Sequence, residues 1–239
     1  MSGRLKFYKY NILKYLDKNS KILIVGAGNN DFKLFEENMF KNFTCSNFSG
    51  KGFDKKIFKK IDLNKIEETD ESYDYVVAHA CIHHCSRPHN AIIEMYRVAK
   101  KGILVIESKD SFLMQLMIKL NLAEEYELSA INDPDSFDDR GGVDNTNIPN
   151  FVYRWTEQEV KKLINSYNPK YNYVINYEYE FEYTNIVNKF KNKLIKLIMR
   201  IFIPSLIFVL KLLLKKQANL FAFFIDKEKS KTTKHSWID

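Results

Sequence analysis

What this 239-residue chain has little of narrows its reading before any motif does. With 8 glycines and 5 prolines it is neither collagen-like nor a low-complexity linker, and long stretches are free to form regular elements. Three cysteines, Cys45, Cys81 and Cys85, are an odd number and too few for a disulfide framework, so they read as reduced, buried thiols. The segment Met1 to Ser20 is amphipathic and carries Lys and Tyr, without the uninterrupted apolar core of a secretory leader; a cytoplasmic protein is expected. Long apolar runs are missing as well. The longest uncharged stretch of the C-terminal region, Ile201 to Leu210, is interrupted by Pro204 and falls short of the roughly 20 residues that span a bilayer. Acidic residues are absent from Thr184 to Ile225, where Lys189, Lys191, Lys193, Lys196, Arg200, Lys211, Lys215 and Lys216 fall. This one segment accounts for the whole net charge of +7. The remainder is close to neutral, so no nucleic-acid partner is expected.

What is present centres on Lys21 to Asp31, KILIVGAGNND. The aliphatic run Ile22 to Val25 suits a strand buried on both faces of a parallel sheet, and Gly26-Ala27-Gly28 breaks it. From Asp31 to Phe40, apolar residues recur at helical spacing, with Asn29 or Asn30 as the expected cap. A strand, a glycine turn and a helix N-terminus form a nucleotide cradle, because the turn lets backbone approach the ligand and free amides point at it. A plain tight turn has the same signature. A second short strand, NFTCSNFS from Asn42, sharpens the reading: Asn47 lies 19 residues beyond Gly28, where doubly wound folds place the group that holds the ribose hydroxyls.

Further strands are predicted near Lys59 to Leu63, at Tyr73 to Ala78 and at Ile103 to Ile106, with a helix over His89 to Ala99 that Lys100, Lys101 and Gly102 are expected to end. Strand alternating with helix means a parallel sheet with ligands beyond its C-terminal strand ends. Those ends are Gly26 to Asn30, Asn47, Asp62, Ala78 to His84 and Glu107 to Asp110, and polar residues concentrate there.

The order GAGNN, Asn47-Phe48-Ser49, Asp62-Leu63, YDYVVAHACIHHC with Arg87-Pro88, and RVAKKGILVIES resembles the class I S-adenosylmethionine-dependent methyltransferases, of the small-molecule, type-11-like kind. The likeness covers residues 20 to 110 and resumes at YRWTEQEV and at the closing strand ANLFAFFIDK. It implies a Rossmann-like, doubly wound α/β fold: a mainly parallel seven-stranded sheet with a C-terminal antiparallel strand, and a helical and loop insertion over the site. It also implies S-adenosyl-L-methionine as cofactor, held by Gly26, Ala27, Gly28, Asn29, Asn30, Asp31, Asn47, Phe48, Asp62, Leu63, Ala78 and His79. Ile24, Asn30 and Asn47 depart from the family pattern; Asn47 can bond ribose hydroxyls but brings no charge. Asp31 would repel a pyrophosphate and favour a sulfonium, which places a methyl donor above NAD.

Four of the five histidines fall in HACIHHCSRPH. Zinc ligation by His and Cys is disfavoured because no second cysteine pair exists, and no metal is expected. Cys81 and Cys85 read as core, His79 and His89 as solvated. His83 and His84 follow the fourth strand end, where a methyl group would be presented, and they are the catalytic candidates, His84 first as base or orienting group for an acceptor hydroxyl.

One domain is expected: residues 1–20 an N-terminal helix, 21–107 the cofactor-binding core, 108–170 an insertion, 171–227 C-terminal strands with a basic apolar helix, and 228–239 a mobile tail. In the insertion Phe112 to Leu122 has helical spacing, and Asp138, Asp139, Arg140 and Asn145 are candidate acceptor contacts. Thr156 and Glu159 form a capping box; Tyr153, Arg154 and Trp155 before it anchor that helix or face the acceptor. Apolar bulk with cations over 186–216 suits an anionic membrane interface or a packing surface, the two readings balanced. The expected activity is methyl transfer to a small molecule, a saccharide or a lipid-linked precursor, with a catalytically inactive methyltransferase-like binding protein as the alternative. The oligomeric state is left open.

Overall fold

The computed structural model describes residues 2–52, 58–132, 140–183 and 192–237. Seven strands form one sheet: β1 (Lys21–Val25), β2 (Asn42–Asn47), β3 (Phe58–Lys60), β4 (Tyr73–His79), β5 (Ala99–Ser108), β8 (Val174–Glu180) and β9 (Leu220–Asp226). Their order is β3-β2-β1-β4-β5-β9-β8, and β9 alone runs antiparallel to its neighbours. The expected doubly wound sheet with a reversed closing strand is therefore present. Two further strands, β6 (Tyr126–Glu127) and β7 (Asn150–Phe151), pair as a small antiparallel ribbon within the insertion.

Alternation along β1 builds two cores at once. Leu23 and Val25 face one side, with helix α3 (Pro88–Val98) and helix α5 (Glu157–Tyr167); Ile22 and Ile24 face the other, with helix α1 (Gly3–Tyr15) and helix α2 (Asn29–Glu37). Burial on both faces is why the central strands read as unbroken aliphatic runs rather than alternating ones. Helix α4 (Phe112–Lys119) starts on the Ser111 cap, and α5 starts on Thr156, whose hydroxyl accepts from Glu159 N at 3.1 Å; the Glu159 carboxylate does not close the capping box but turns to His89 and Tyr153.

Two local expectations are corrected. Lys100, Lys101 and Gly102 do not end α3; they lie inside β5, which begins at Ala99. Gly102 pairs with Asp226, and a Cβ there would sit 2.6 Å from the Ile225 carbonyl oxygen, so this glycine serves sheet packing rather than a helix cap. Nor is the C-terminus loose from Lys227. Asp226 caps a short helix, α7 (Lys227–Lys231), and the buried Lys227 ammonium donates to the carbonyls of Tyr96 (3.0 Å) and Ala99 (2.5 Å) and faces Glu71 at 3.2 Å. A lysine stem can cross apolar surface when its head finds carbonyls and a carboxylate, a pairing between distant segments that local sequence does not reveal.

Helix α6 (Lys193–Leu213) follows residues outside the described set and is 21 residues long with Pro204 inside. No helix among the described residues is long and apolar enough to cross a membrane.

Because Lys227 ties α7 to the junction of α3 and β5, Lys227→Ala should cost about 3 kcal/mol in urea unfolding. An unchanged midpoint would show that the C-terminal segment contributes nothing to the fold.

Candidate active site

The glycine turn is shaped by steric need. Gly26 has φ +59°, and a Cβ on it would lie 2.4 Å from the Cys81 Cβ, so the turn takes neither an L side chain nor a retreat of the loop after β4. Gly28 caps α2, and the Asp31 carboxylate folds back to accept the Gly28 N–H at 2.9 Å. Its other oxygen lies 3.3 Å from His79 Nδ1, and the His79 ring stacks on Tyr8 with centroids 4.3 Å apart. Asp31 therefore holds the shape of the loop, in place of the expected role of facing a cationic ligand, and His79 is not solvated. His89, by contrast, is exposed, 2.8 Å from Glu159.

Beyond the strand ends lies a cleft of about 160 Å³. Gly26, Asn47, Phe48, Asp62, Leu63 and His84 line it, all of them anticipated. Ala78 does not; it is fully buried within β4, between Val25 and Val105. Ala27 is also core, while Asn29 and Asn30 fill the first turn of α2. Asn47 has no free polar atom for a ribose. Its carbonyl oxygen accepts from Gly50 N (2.7 Å) and Ser49 Oγ (3.2 Å), and its amide donates to the carbonyls of Lys51 (2.8 Å) and Ala27 (3.4 Å). The remaining wall is the insertion: Gly141, Gly142, Asp144 and Asn145. Asp144 Oδ1 accepts from Asn64 Nδ2 (2.9 Å) and Ser86 N (3.0 Å), fastening this segment across the cleft. Of the expected acceptor contacts, Asn145 thus lines this cleft, the backbone N–H of Arg140 donates to its side chain, and Asp138 and Asp139 lie outside the described residues.

A second cleft, about 560 Å³, opens on the other side of the loop after β4. Apolar side chains of α4 and α6 wall it, with Arg154 among its polar groups. Trp155 is instead fully buried in the core and Tyr153 bonds Glu159. The two clefts meet at the 3-10 turn Ile82–His84: His84 lines the first and His83 the second. Buried Glu107, at the end of β5, accepts Ile82 N at 2.7 Å with one oxygen and holds His83 Nδ1 at 2.8 Å with the other. Glu127 on β6 comes from above, its Oε2 3.1 Å from His83 Nε2 and 3.4 Å from His84 Nε2. Asn150, paired with Glu127 across the ribbon, places its amide 2.7 Å from His84 Nδ1, and Gly141 O lies 3.1 Å from the same nitrogen. Burial alone would disfavour charge on His83, but Glu107 and then Glu127 outweigh it and push its pKa up to about 9. Both carboxyls are held below their ordinary range by the imidazoles, against the opposing effect of burial. Burial pushes the thiols of Cys81 and Cys85 up, as inert core residues require.

Residues 26–106 match the family model described as a methyltransferase domain. This core has the fold of the class I S-adenosylmethionine-dependent methyltransferases. An S-adenosylmethionine-dependent methyltransferase from Archaeoglobus fulgidus superposes with a TM-score of 0.54 at 13% identity, over 93% of this chain and 94% of that one. The PH0226 protein of Pyrococcus horikoshii gives 0.52 at 14% identity, over 93% and 89%. A 1,6-didemethyltoxoflavin-N1-methyltransferase of Burkholderia thailandensis, with bound 1,6-didemethyltoxoflavin and S-adenosylhomocysteine, gives 0.53 at 10% identity, over 95% of this chain and 79% of that one. No curated protein sequence matches the chain.

This cleft offers a cofactor the glycine turn, the half-buried Phe48 and the Asp62 carboxylate. Glu107 and Glu127 were not anticipated as site residues. The only signal for Glu107 was an acid at a strand end, whereas Glu127 sits in a two-residue strand with no periodicity. Gly26→Ala should cost about 2 kcal/mol or more and weaken S-adenosylhomocysteine binding at least tenfold, read by thermal melting and calorimetry. Unchanged melting together with unchanged affinity would contradict this account of the turn.

Proposed function

We propose that this methyltransferase acts on a hydroxylated small molecule with an apolar, lipid-like portion, taken from an anionic membrane surface. The observation that carries the reading is the second cleft: Leu113, Met114, Met117, Ile203, Leu206 and Ile207 wall it, and its floor is His83 with Glu127, beside the cofactor cleft. An apolar cavity with a few convergent polar groups at one end suits an amphiphile whose polar end is the reacting one.

Helix α6 supports the membrane half. Its residues Ile203, Leu206, Ile207 and Leu210, at helical spacing, face the cleft. Leu194, Leu197, Ile198, Ile201, Phe202, Phe208 and Leu212 lie exposed on the rest of its surface, among Lys193, Lys196, Arg200 and Lys211. A helix apolar on every side needs cover beyond its own core, and cations beside that surface favour anionic headgroups by on the order of 1 kcal/mol each. Lipid at the outer face of α6 would put an acceptor one helix away from the cleft.

When bound, the cofactor supplies a methyl on a sulfonium, a built-in leaving group, so the protein's part is alignment and management of the acceptor proton. Glu107 fixes the His83 ring, the walls of α4 and α6 exclude water, and His84 is assigned the activation of the acceptor. His84→Ala should lower kcat by roughly 10²-fold or more with S-adenosylhomocysteine affinity unchanged. Full turnover in that variant would end the assignment. The acceptor class is checked by comparing methyl transfer to alkyl-chain alcohols and to soluble saccharides; preference for the saccharides would overturn it. The protein should sediment with anionic vesicles and not with neutral ones, and equal, negligible sedimentation with both would remove the membrane proposal.

A further inference from the structure

The cluster where the clefts meet has the form of a metal site. His83, His84 and Glu127 each present one ligand atom, and these atoms all lie within 4.8 Å of one another. A tetrahedral ion with bonds of about 2.0–2.1 Å separates its ligands by about 3.3 Å along each edge. The Glu127 oxygen is 3.1 Å from His83 Nε2 and 3.4 Å from His84 Nε2, which match two edges of such a tetrahedron, and the two ring nitrogens lie within 4.8 Å of each other.

We infer that His83 Nε2, His84 Nε2 and Glu127 Oε2 bind a divalent transition metal ion, zinc or a metal of similar ligand preference, with one position open to the acceptor cleft. The surroundings are those of a ligating histidine. His83 donates its remaining N–H to the buried Glu107, which is itself tied to Ile82 N, a carboxylate–histidine–metal relay that fixes the ring and raises its basicity. In the empty site the Asn150 amide, 2.7 Å from His84 Nδ1, donates to it and the ring proton on Nε2 faces Glu127; with a metal on Nε2 the proton sits on Nδ1, where Gly141 O at 3.1 Å accepts it and the otherwise unpartnered Asn150 Oδ1 turns toward it. Metal binding displaces the His83 Nε2 proton to solvent and moves the His84 proton from Nε2 to Nδ1. Charge closes too, since two carboxylates balance one divalent ion. The ligand set contains no cysteine; it is two adjacent histidines on a turn and one acid brought over by the insertion.

This inference rests on the proposed function and revises one role in it: His84 acts as a ligand of the ion in place of a base, and the ion serves acceptor activation. His83 and Glu127 line the acceptor cleft, so an acceptor hydroxyl completes the coordination, its pKa falls, and its proton passes to water. An oxygen acceptor is thereby favoured over a carbon one.

The test uses chelator-treated full-length protein titrated with cobalt(II) chloride, then zinc chloride. Expected are one equivalent of cobalt with the visible absorption of a tetrahedral ion, and its displacement by zinc. Glu127→Gln and His83→Ala should abolish the absorption, Glu107→Gln should weaken binding 10- to 100-fold, and His89→Ala should leave it unchanged. Glu127 is partly exposed, so its variant keeps the inference testable even where replacing buried Glu107 impairs folding. No cobalt absorption in the native protein, or full absorption in Glu127→Gln, overturns the site. Titration with S-adenosylhomocysteine in parallel separates the two readings: its loss with cobalt absorption intact would count against the methyl-transfer reading alone.

Discussion

The interaction on which the rest depends is the buried carboxylate of Glu107. A carboxylate that is 2% exposed survives only with its charge matched and its lone pairs occupied. Ile82 N and His83 Nδ1 meet both demands. Because Glu107 ends β5 and the other two begin the 3-10 turn after β4, this one group sets the spacing of two strand ends and the angle of that turn. His83 is then fixed facing one cleft, and His84, the next residue, must face the other. The insertion follows from the same constraint, since Glu127 completes the far side of His83 and Asn150, its ribbon partner, the far side of His84.

The sequence was legible where burial acts on both faces of a strand. Ile22 to Val25, Val76 to Ala78 and Ile103 to Ile106 are core on two sides, which leaves an aliphatic run that no solvated element would carry. The glycine turn was legible because Gly26 cannot be otherwise, and the histidine pair because it follows a strand end. What escaped was set by partners far away in the chain. Asn47 sits at the ribose-binding position by spacing, yet its carboxamide is consumed by the turn it closes. Gly102 looked like a helix cap because the reason for it is Ile225, more than a hundred residues on. Glu127 stands in a stretch with no periodicity and gains its place only when β6 meets β7 over the site.

The two clefts differ as their tasks require. The cofactor side is narrow, about 160 Å³, and is spanned by the segment that Asp144 fastens to Asn64 and Ser86. Ligands of the cofactor's size occupy pockets of several hundred Å³. This segment is fastened across the cleft by the two Asp144 bonds and by Gly141 O, which lies against His84 Nδ1 and accepts from Asn150. Asp144 and Asn145 both hold left-handed backbone, with φ of 45° and 57°, which Asp and Asn tolerate better than other L residues.

On the acceptor side, length and shape point in one direction. Helix α6 contributes one wall of the cleft from one stripe and leaves its other faces apolar and basic, so under the proposed function the wall of the cleft is also the surface offered to lipid. For a soluble saccharide such a helix would be a liability, exposing large side chains with no partner in the fold. For an amphiphile it shortens the path from bilayer to reacting centre to the width of a single helix, about 10 Å. On the proposed reading, the net positive charge concentrated around α6, against a near-neutral remainder, orients this face and the mouth of the cleft toward anionic headgroups.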